Sequence, residues 1–211
     1  DIDLENIGGP VTIDGGYTGN VQFQNLGGSL HFTGPQTEVV AAKVPGQIRM
    51  PLGNFNASQL AGPARLNTRS RDVQISDFTD SLEITSQRGD IELRPSPGPL
   101  GKIDVRTHSG NITLDLPPDA KFNLNASTGR GEVSNDFGGS IEVDRSGPGA
   151  TLRSSNEGPP ITAHTDLGEI TVRKASQDDA PLQPPNQSRF EKRRDRRARP
   201  LLQHPLKRIE Q

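Results

Sequence analysis

Along most of the chain, apolar residues recur in pairs two positions apart, and each pair is followed by a turn-forming stretch with a glycine. In GKIDVRTHSGNITLDL, Ile103 and Val105 alternate with polar residues, then come Gly110 and a second pair, Ile112 and Leu114. A period of two is that of a strand with one buried face. The same unit recurs as Leu82, Ile84, Gly89, Ile91, Leu93 and as Val21, Phe23, Gly28, Leu30, Phe32. It recurs again as Val39, Ala41, Gly46, Ile48, Met50 and as Ile161, Ala163, Gly168, Ile170, Val172. In all five, the glycine stands seven residues after the first apolar residue.

These units chain together. Strand starts at Ala64, Val73, Leu82 and Ile91 are nine residues apart, and those from Ile2 through Ile48 are nine or ten apart. A strand that buries two side chains cannot stand alone, but copies stacked in parallel share an apolar column. The pattern therefore predicts an all-β, single-stranded parallel β-solenoid of short strands with a 9–10-residue strand-turn repeat. Two strands per coil would give a rung of about 18 residues and three about 27, and the spacing fits both. An antiparallel sandwich of short strands is the alternative. Turn glycines are expected at Gly9, Gly28, Gly46, Gly62, Gly89, Gly110, Gly129 and Gly168.

Composition agrees with a thin interior. Hydrophobic residues make up 29% of the 211, with 23 glycines and 18 prolines, too lean a recipe for a compact globule. A solenoid needs little core per residue. There is no cysteine, so no disulfide framework or thiolate site exists. No apolar run reaches the ~18 residues that span a bilayer. The chain starts at Asp1 directly in a strand-like stretch, and an export or anchoring segment is expected upstream of it.

Charge divides the chain. The net charge of -2 gives no reason to expect a specific nucleic-acid partner. Residues 175–211, however, hold nine Lys/Arg against five Asp/Glu. The rhythm stops after Lys174, so residues 1–174 are read as the solenoid domain, truncated at its N-terminus, and 175–211 as a Pro/Gln-rich linker and a disordered basic tail. Within the tail, Arg189, Lys192, Arg193, Arg194, Arg196, Arg197 and Arg199 are candidate contacts to anionic lipid or wall polymer.

The repeat also decides the meaning of Arg88-Gly89-Asp90. Gly89 fills the repeat's glycine slot and Asp90 the next one, where other units have Asp72, Asn111 and Glu169. The tripeptide is a corner of the coil and needs no receptor to explain it.

At VRTHSGNITLDL, the run Thr107-x-Ser109-Gly110-x-Ile112-x-Leu114 resembles a bacterial β-strand-repeat family labelled as an adhesin domain, envelope-associated and of unknown function. ITAHTDLGEITVRK looks like its closing unit. The likeness is best from Ala64 to Lys174. Arg71 departs from it at a glycine position, and Arg88 and Leu167 depart at the serine. The resemblance implies a location in the bacterial cell envelope, extracytoplasmic or membrane-tethered, and carries no catalytic residues.

Reactive chemistry is sparse. His31, His108, His164 and His204 fall in different phases of the repeat without metal-ligand spacing, and are read as surface residues. No nucleophile elbow or phosphate loop is present. The residues between paired apolar positions point outward: Gln22, His31, Arg49, Arg65, Gln74, Glu83, Glu92, Asp104, Thr113, Thr162 and Thr171. Glu83, Glu92 and Asp104 would form a carboxylate cluster if their strands stacked, the one opening for a polysaccharide-active enzyme. With no Trp and one Tyr, sugar stacking platforms are lacking. The expectation is a non-enzymatic protein without metal or cofactor, whose repeated polar face meets a surface polysaccharide or protein. A scaffold that self-associates end to end and a regulatory envelope component are the alternatives.

Overall fold

The computed structural model describes residues 1–175 apart from 17, 18 and 146, and the expected linker and basic tail lie outside the described residues. Eighteen strands and one short 3-10 turn make up the described chain. Strands alternate between two facing sheets, here called A and B, so one coil is one strand of each. The first coil is β1 (Ile2–Glu5) in sheet A and β2 (Val11–Asp14) in sheet B. The second is β3 (Val21–Leu26) and β4 (Leu30–Thr33), parallel to the first with Ile2 beside Val21 and Val11 beside Leu30. A two-strand coil thus settles the choice the spacing left open.

The chain then reverses. After a turn at Gly34, β5 (Thr37–Met50) runs backwards through both sheets, antiparallel to β4 and β3 in succession. Winding resumes in the first direction with β6 (Asn54–Ser58) in A and β7 (Ala61–Ser70) in B, each antiparallel to β5. From there β8 (Asp72–Phe78), β9 (Leu82–Arg88), β10 (Ile91–Pro95), β11 (Ile103–Ser109) and β12 (Ile112–Leu116) continue in parallel, alternating A and B. Register pairs such as Val73–Ile91 and Ile91–Ile112 keep like positions stacked.

Next comes a displacement. The coil of β13 (Asn123–Arg130) and β14 (Val133–Asn135) leaves a gap beyond β11–β12. The chain makes a hairpin at the edge of sheet B from β15 (Glu142–Asp144) and β16 (Ala150–Arg153). It then returns to fill the gap with β17 (Pro160–Leu167) and β18 (Ile170–Lys174). β17 pairs with β11 on one side and β13 on the other, and β18 likewise with β12 and β14. The last described coil in sequence is therefore an inner coil in space.

The architecture is solenoid-like but mixed, which corrects the purely parallel expectation: β5 and β16 run against their neighbours. The reason is physical. An apolar-polar-apolar strand reads the same in both directions, so periodicity locates strands without giving their sense. Val39 and Ile48, expected to begin separate strands with a turn at Gly46, belong to the single strand β5. A Cβ at Gly46 would lie 2.2 Å from the Ser58 carbonyl oxygen, so this glycine permits close approach to β6 and makes no turn.

The core is the expected narrow spine. Ile84, Leu93, Ile103, Val105, Ile112, Leu114, Ile161, Ile170 and Val172 are buried from both sheets. Each such aliphatic side chain contributes roughly 1.5–3 kcal/mol by leaving water. Along one margin of the spine stands a column of inward hydroxyls: Thr37, Thr68, Ser86, Thr107, Thr165 and Thr128, neighbours in register and all buried. Burial of a hydroxyl is tolerated only with a partner. Thr165 Oγ1 donates to the Gly110 carbonyl at 3.0 Å and Thr128 Oγ1 to that of Gly168 at 2.8 Å.

Candidate functional site

Strand backbone groups are spent in the ladders, so what faces a ligand is side chains, and the corners fix where those side chains stand. At the corner from sheet B into sheet A, Gly89, Gly110 and Gly168 form one column. Gly110 has φ of +146°, and a Cβ there would lie 2.1 Å from the Gly89 carbonyl oxygen. No other residue fits both demands. The column continues to Gly131, and Gly129 is instead a strand residue of β13, because Leu167 pairs with Arg130. Gly28 stacks on Gly9 at the first corner, and Gly62 lies in β7 with φ of +82°.

Beside the glycines runs a ladder of side-chain caps. The Asp72 carboxylate accepts the Asp90 N–H at 3.0 Å, the Asp90 carboxylate that of Asn111 at 2.8 Å, and the Asn111 side-chain oxygen that of Glu169 at 2.9 Å. Arg88-Gly89-Asp90 is thus one step of this corner. Arg71 takes the glycine slot in the preceding coil without a left-handed backbone, and its guanidinium caps the β5–β6 hairpin through Pro51 O at 2.6 Å and Asn54 O at 2.9 Å.

The caps pin the outer face of sheet A. One unbroken row crosses it in register: Asp3, Gln22, Arg49, Asn56, Gln74, Glu92, Thr113, Thr171 and Ser134. Strands lie about 4.8 Å apart, so the row extends roughly 40 Å. It includes an open groove of about 370 Å³, lined among others by Asn54, Asn56, Gln74, Glu92, Asn111 and Thr113. Gln74 donates to Glu92 at 3.0 Å, and Ser134 to Thr171 at 3.1 Å. The Arg49 side chain makes no hydrogen bond or ion pair among the described residues, and its Nε is buried without a partner. Next to the row, the buried Asp115 carboxylate accepts from Arg173 Nε at 2.9 Å and from Arg94 Nη2 at 3.3 Å.

The outer face of sheet B is more highly charged. Glu83 and Asp104 are register neighbours there, while Glu92 lies on the opposite sheet, so the three carboxylates do not meet. Arg65 holds Glu83 at 2.8 Å and Arg106 holds Asp104 at 3.1 Å. Such exposed pairs are worth about 0–1 kcal/mol. Across β11, β17 and β13 lies a network that the sequence spacing does not disclose. His108 Nδ1 meets Asp166 at 2.7 Å, His164 Nε2 meets the other Asp166 oxygen at 3.0 Å, and Ser127 Oγ meets His164 Nδ1 at 2.9 Å. The pairing of β17 with both β11 and β13 creates it, and that pairing has no local signal. His108 and then His164 hold the Asp166 carboxyl below the usual aspartate range through their hydrogen bonds. His31 lies on β4 facing out, and His204 is outside the described residues.

Among the described residues there is no group of three or more His, Cys, Asp or Glu placed to hold a metal, and no helix long and apolar enough to cross a membrane. The seven basic candidates from Arg189 to Arg199 lie outside the described residues.

Fold and face together define a β-solenoid-like domain with a long polar row. The chain belongs to the Toastrack DUF4097 family, a domain of unknown function, whose model matches residues 1–173. Neither the curated proteins nor the solved structures compared with it show a match.

Proposed function

We propose that this chain is a non-enzymatic binding domain of the bacterial cell envelope, and that the outer face of sheet A takes an extended polysaccharide along the coil axis. The observation that carries the reading is the row itself. Asn56, Gln74, Thr113 and Thr171 present amides and hydroxyls in one register row, with the Glu92 carboxylate between Gln74 and Thr113, and Arg49 adds a guanidinium with no partner among the described residues. Sugar hydroxyls spaced along a polymer match donors and acceptors spaced along a sheet. Each contact is worth about 1 kcal/mol, so affinity must come from several made at once. The absence of Trp and the single Tyr argue against stacking as the means. The envelope placement rests on the family resemblance seen around Thr107–Leu114.

A scaffold growing end to end is less well supported. One end of sheet B is formed by the short β15, whose outer positions are Glu142 and Asp144. Charged, short edge strands resist strand addition.

Affinity electrophoresis of the 211-residue chain through gels holding neutral polysaccharides, such as a β-glucan, an α-mannan and a galactomannan, tests the reading. Retardation by at least one polymer is expected, abolished in the triple variant Asn56→Ala, Gln74→Ala, Thr113→Ala. It should persist in Thr85→Ala, Asn125→Ala, Thr162→Ala on sheet B. Equal loss in both variants, or no retardation by any polymer, contradicts it.

A further inference from the structure

A separate pocket lies where the reversed strand β5 meets the second coil. It has a volume of about 160 Å³ and is lined by Val21, Phe32, Met50, Leu52, Gln36 and Arg71, among others. Val21, Phe32 and Met50 are core residues, so the pocket reaches into the spine, and Leu52 at its rim is 80% exposed. An apolar cavity of about this size accepts a molecule as large as benzene.

Arg71 gives the pocket its chemistry. A guanidinium carries five N–H donors. Nε–H goes to Thr37 Oγ1 at 2.9 Å, and the two on Nη1 go to the Pro51 and Asn54 carbonyls. The two on Nη2 have no partner among the described residues. Burial pulls the Arg71 pKa below the usual arginine value, a sign of a cation short of solvent. Three bonds hold this group rigidly at the pocket wall while Nη2 remains unused, and a charged N–H donor there suits a carboxylate oxygen. Arg71 also breaks the repeat, standing where neighbouring coils have glycine.

We propose that this pocket binds a small carboxylate with a compact apolar body, of the size of benzoate, its anionic end on Arg71 Nη2 and its body against Val21, Phe32 and Met50. The site is independent of the polysaccharide row, which lies on the outer face of sheet A.

Met50 is the single methionine of the chain, so its labelled methyl group gives one NMR signal reporting on the pocket. Titration of the full chain with benzoate, benzyl alcohol and benzylamine compares three bodies of like size. Benzoate should shift the Met50 signal with an affinity at least about tenfold above that of benzyl alcohol, the worth of a hydrogen bond to a charged group. Benzylamine should leave it unmoved. Arg71→Lys should bring benzoate down to the level of the alcohol, and Leu52→Ser, on an exposed turn, should weaken both several-fold. If Arg71→Lys loses signal dispersion and fails to fold, the three-ligand comparison on the unaltered chain still decides. Equal affinity for benzoate and benzyl alcohol, or an unmoved Met50 signal with all three at millimolar concentration, overturns the proposal.

Discussion

Arg173 and Asp115 are 58 positions apart in sequence and adjacent in sheet A, with Arg173 Nε donating to Asp115 Oδ1 at 2.9 Å. The pair fastens β18 to β12, where the last described coil fills the gap left earlier. Similar long-range ties fasten the same coil elsewhere: His108 to Asp166, Asn111 to the Glu169 N–H, and Thr165 to the Gly110 carbonyl.

Removing the Asp115 carboxylate leaves Arg94, itself 17% exposed in its side chain, without that anion. Breaking one member of a buried pair costs roughly 3–5 kcal/mol. Arg173 is nearly half exposed, which places the expected loss for Asp115→Ala at the lower end, about 3 kcal/mol. Glu83→Ala, which removes an exposed pair with Arg65, should cost under about 1 kcal/mol. Urea unfolding of the two variants checks the contrast, and equal losses would count against it.

Gly110→Ala should be among the most damaging single changes. A left-handed conformation at a residue with a Cβ costs about 1–3 kcal/mol, and the contact with the Gly89 carbonyl adds to it. Gly8→Ala, where an added Cβ meets nothing within 4 Å, should be close to neutral. Thermal unfolding midpoints compare them directly.

The His108–Asp166–His164 network makes a pH prediction whose sign is fixed. The Asp166 pKa is depressed in the folded state, so the unfolded chain binds more protons in the acid range. The network's contribution is fully present above the ordinary aspartate pKa of about 3.9 and is lost as pH falls through the lower folded value. Carboxyl NMR titration should find the Asp166 midpoint below that of ordinary aspartate. The double variant His108→Gln, His164→Gln should raise it, and an unmoved midpoint would show that the histidines do not set it.

Much of the fold is legible because burial is periodic. The alternation in Ile103/Val105 and Ile112/Leu114 gives all-β structure and a thin stacked core, and the structure has both. Strand sense is not legible, since Val39, Ala41, Ile48 and Met50 look alike whether β5 runs with its neighbours or against them. Nor is the order of coils: nothing near Ile161 or Ile170 signals that these strands lie inside the coil formed by Leu124 and Val133. The outward positions follow from the same alternation, but their grouping depends on a two-strand coil. Gln22, Arg49, Gln74, Glu92, Thr113 and Thr171 share one face, while His31, Arg65, Glu83, Asp104 and Thr162 share the other. Asn56 and Asn54, both at the groove, sit on β6, whose apolar pair, Phe55 and Ala57, stands nine residues ahead of Ala64 and so extends the rhythm backwards, a strand that the series beginning at Ala64 leaves out.

The central claim, that a polymer lies along the row, is tested most directly by ligand length. Strand spacing of about 4.8 Å is close to one sugar unit, so each added sugar reaches the next strand's side chain. Calorimetry of the full chain with a size series of oligosaccharides from the retarding polymer should show affinity climbing steeply up to about eight or nine units, one per strand, and levelling off once the row is covered. Affinity that is already maximal for a mono- or disaccharide would contradict an axial polymer site and place recognition in a single pocket.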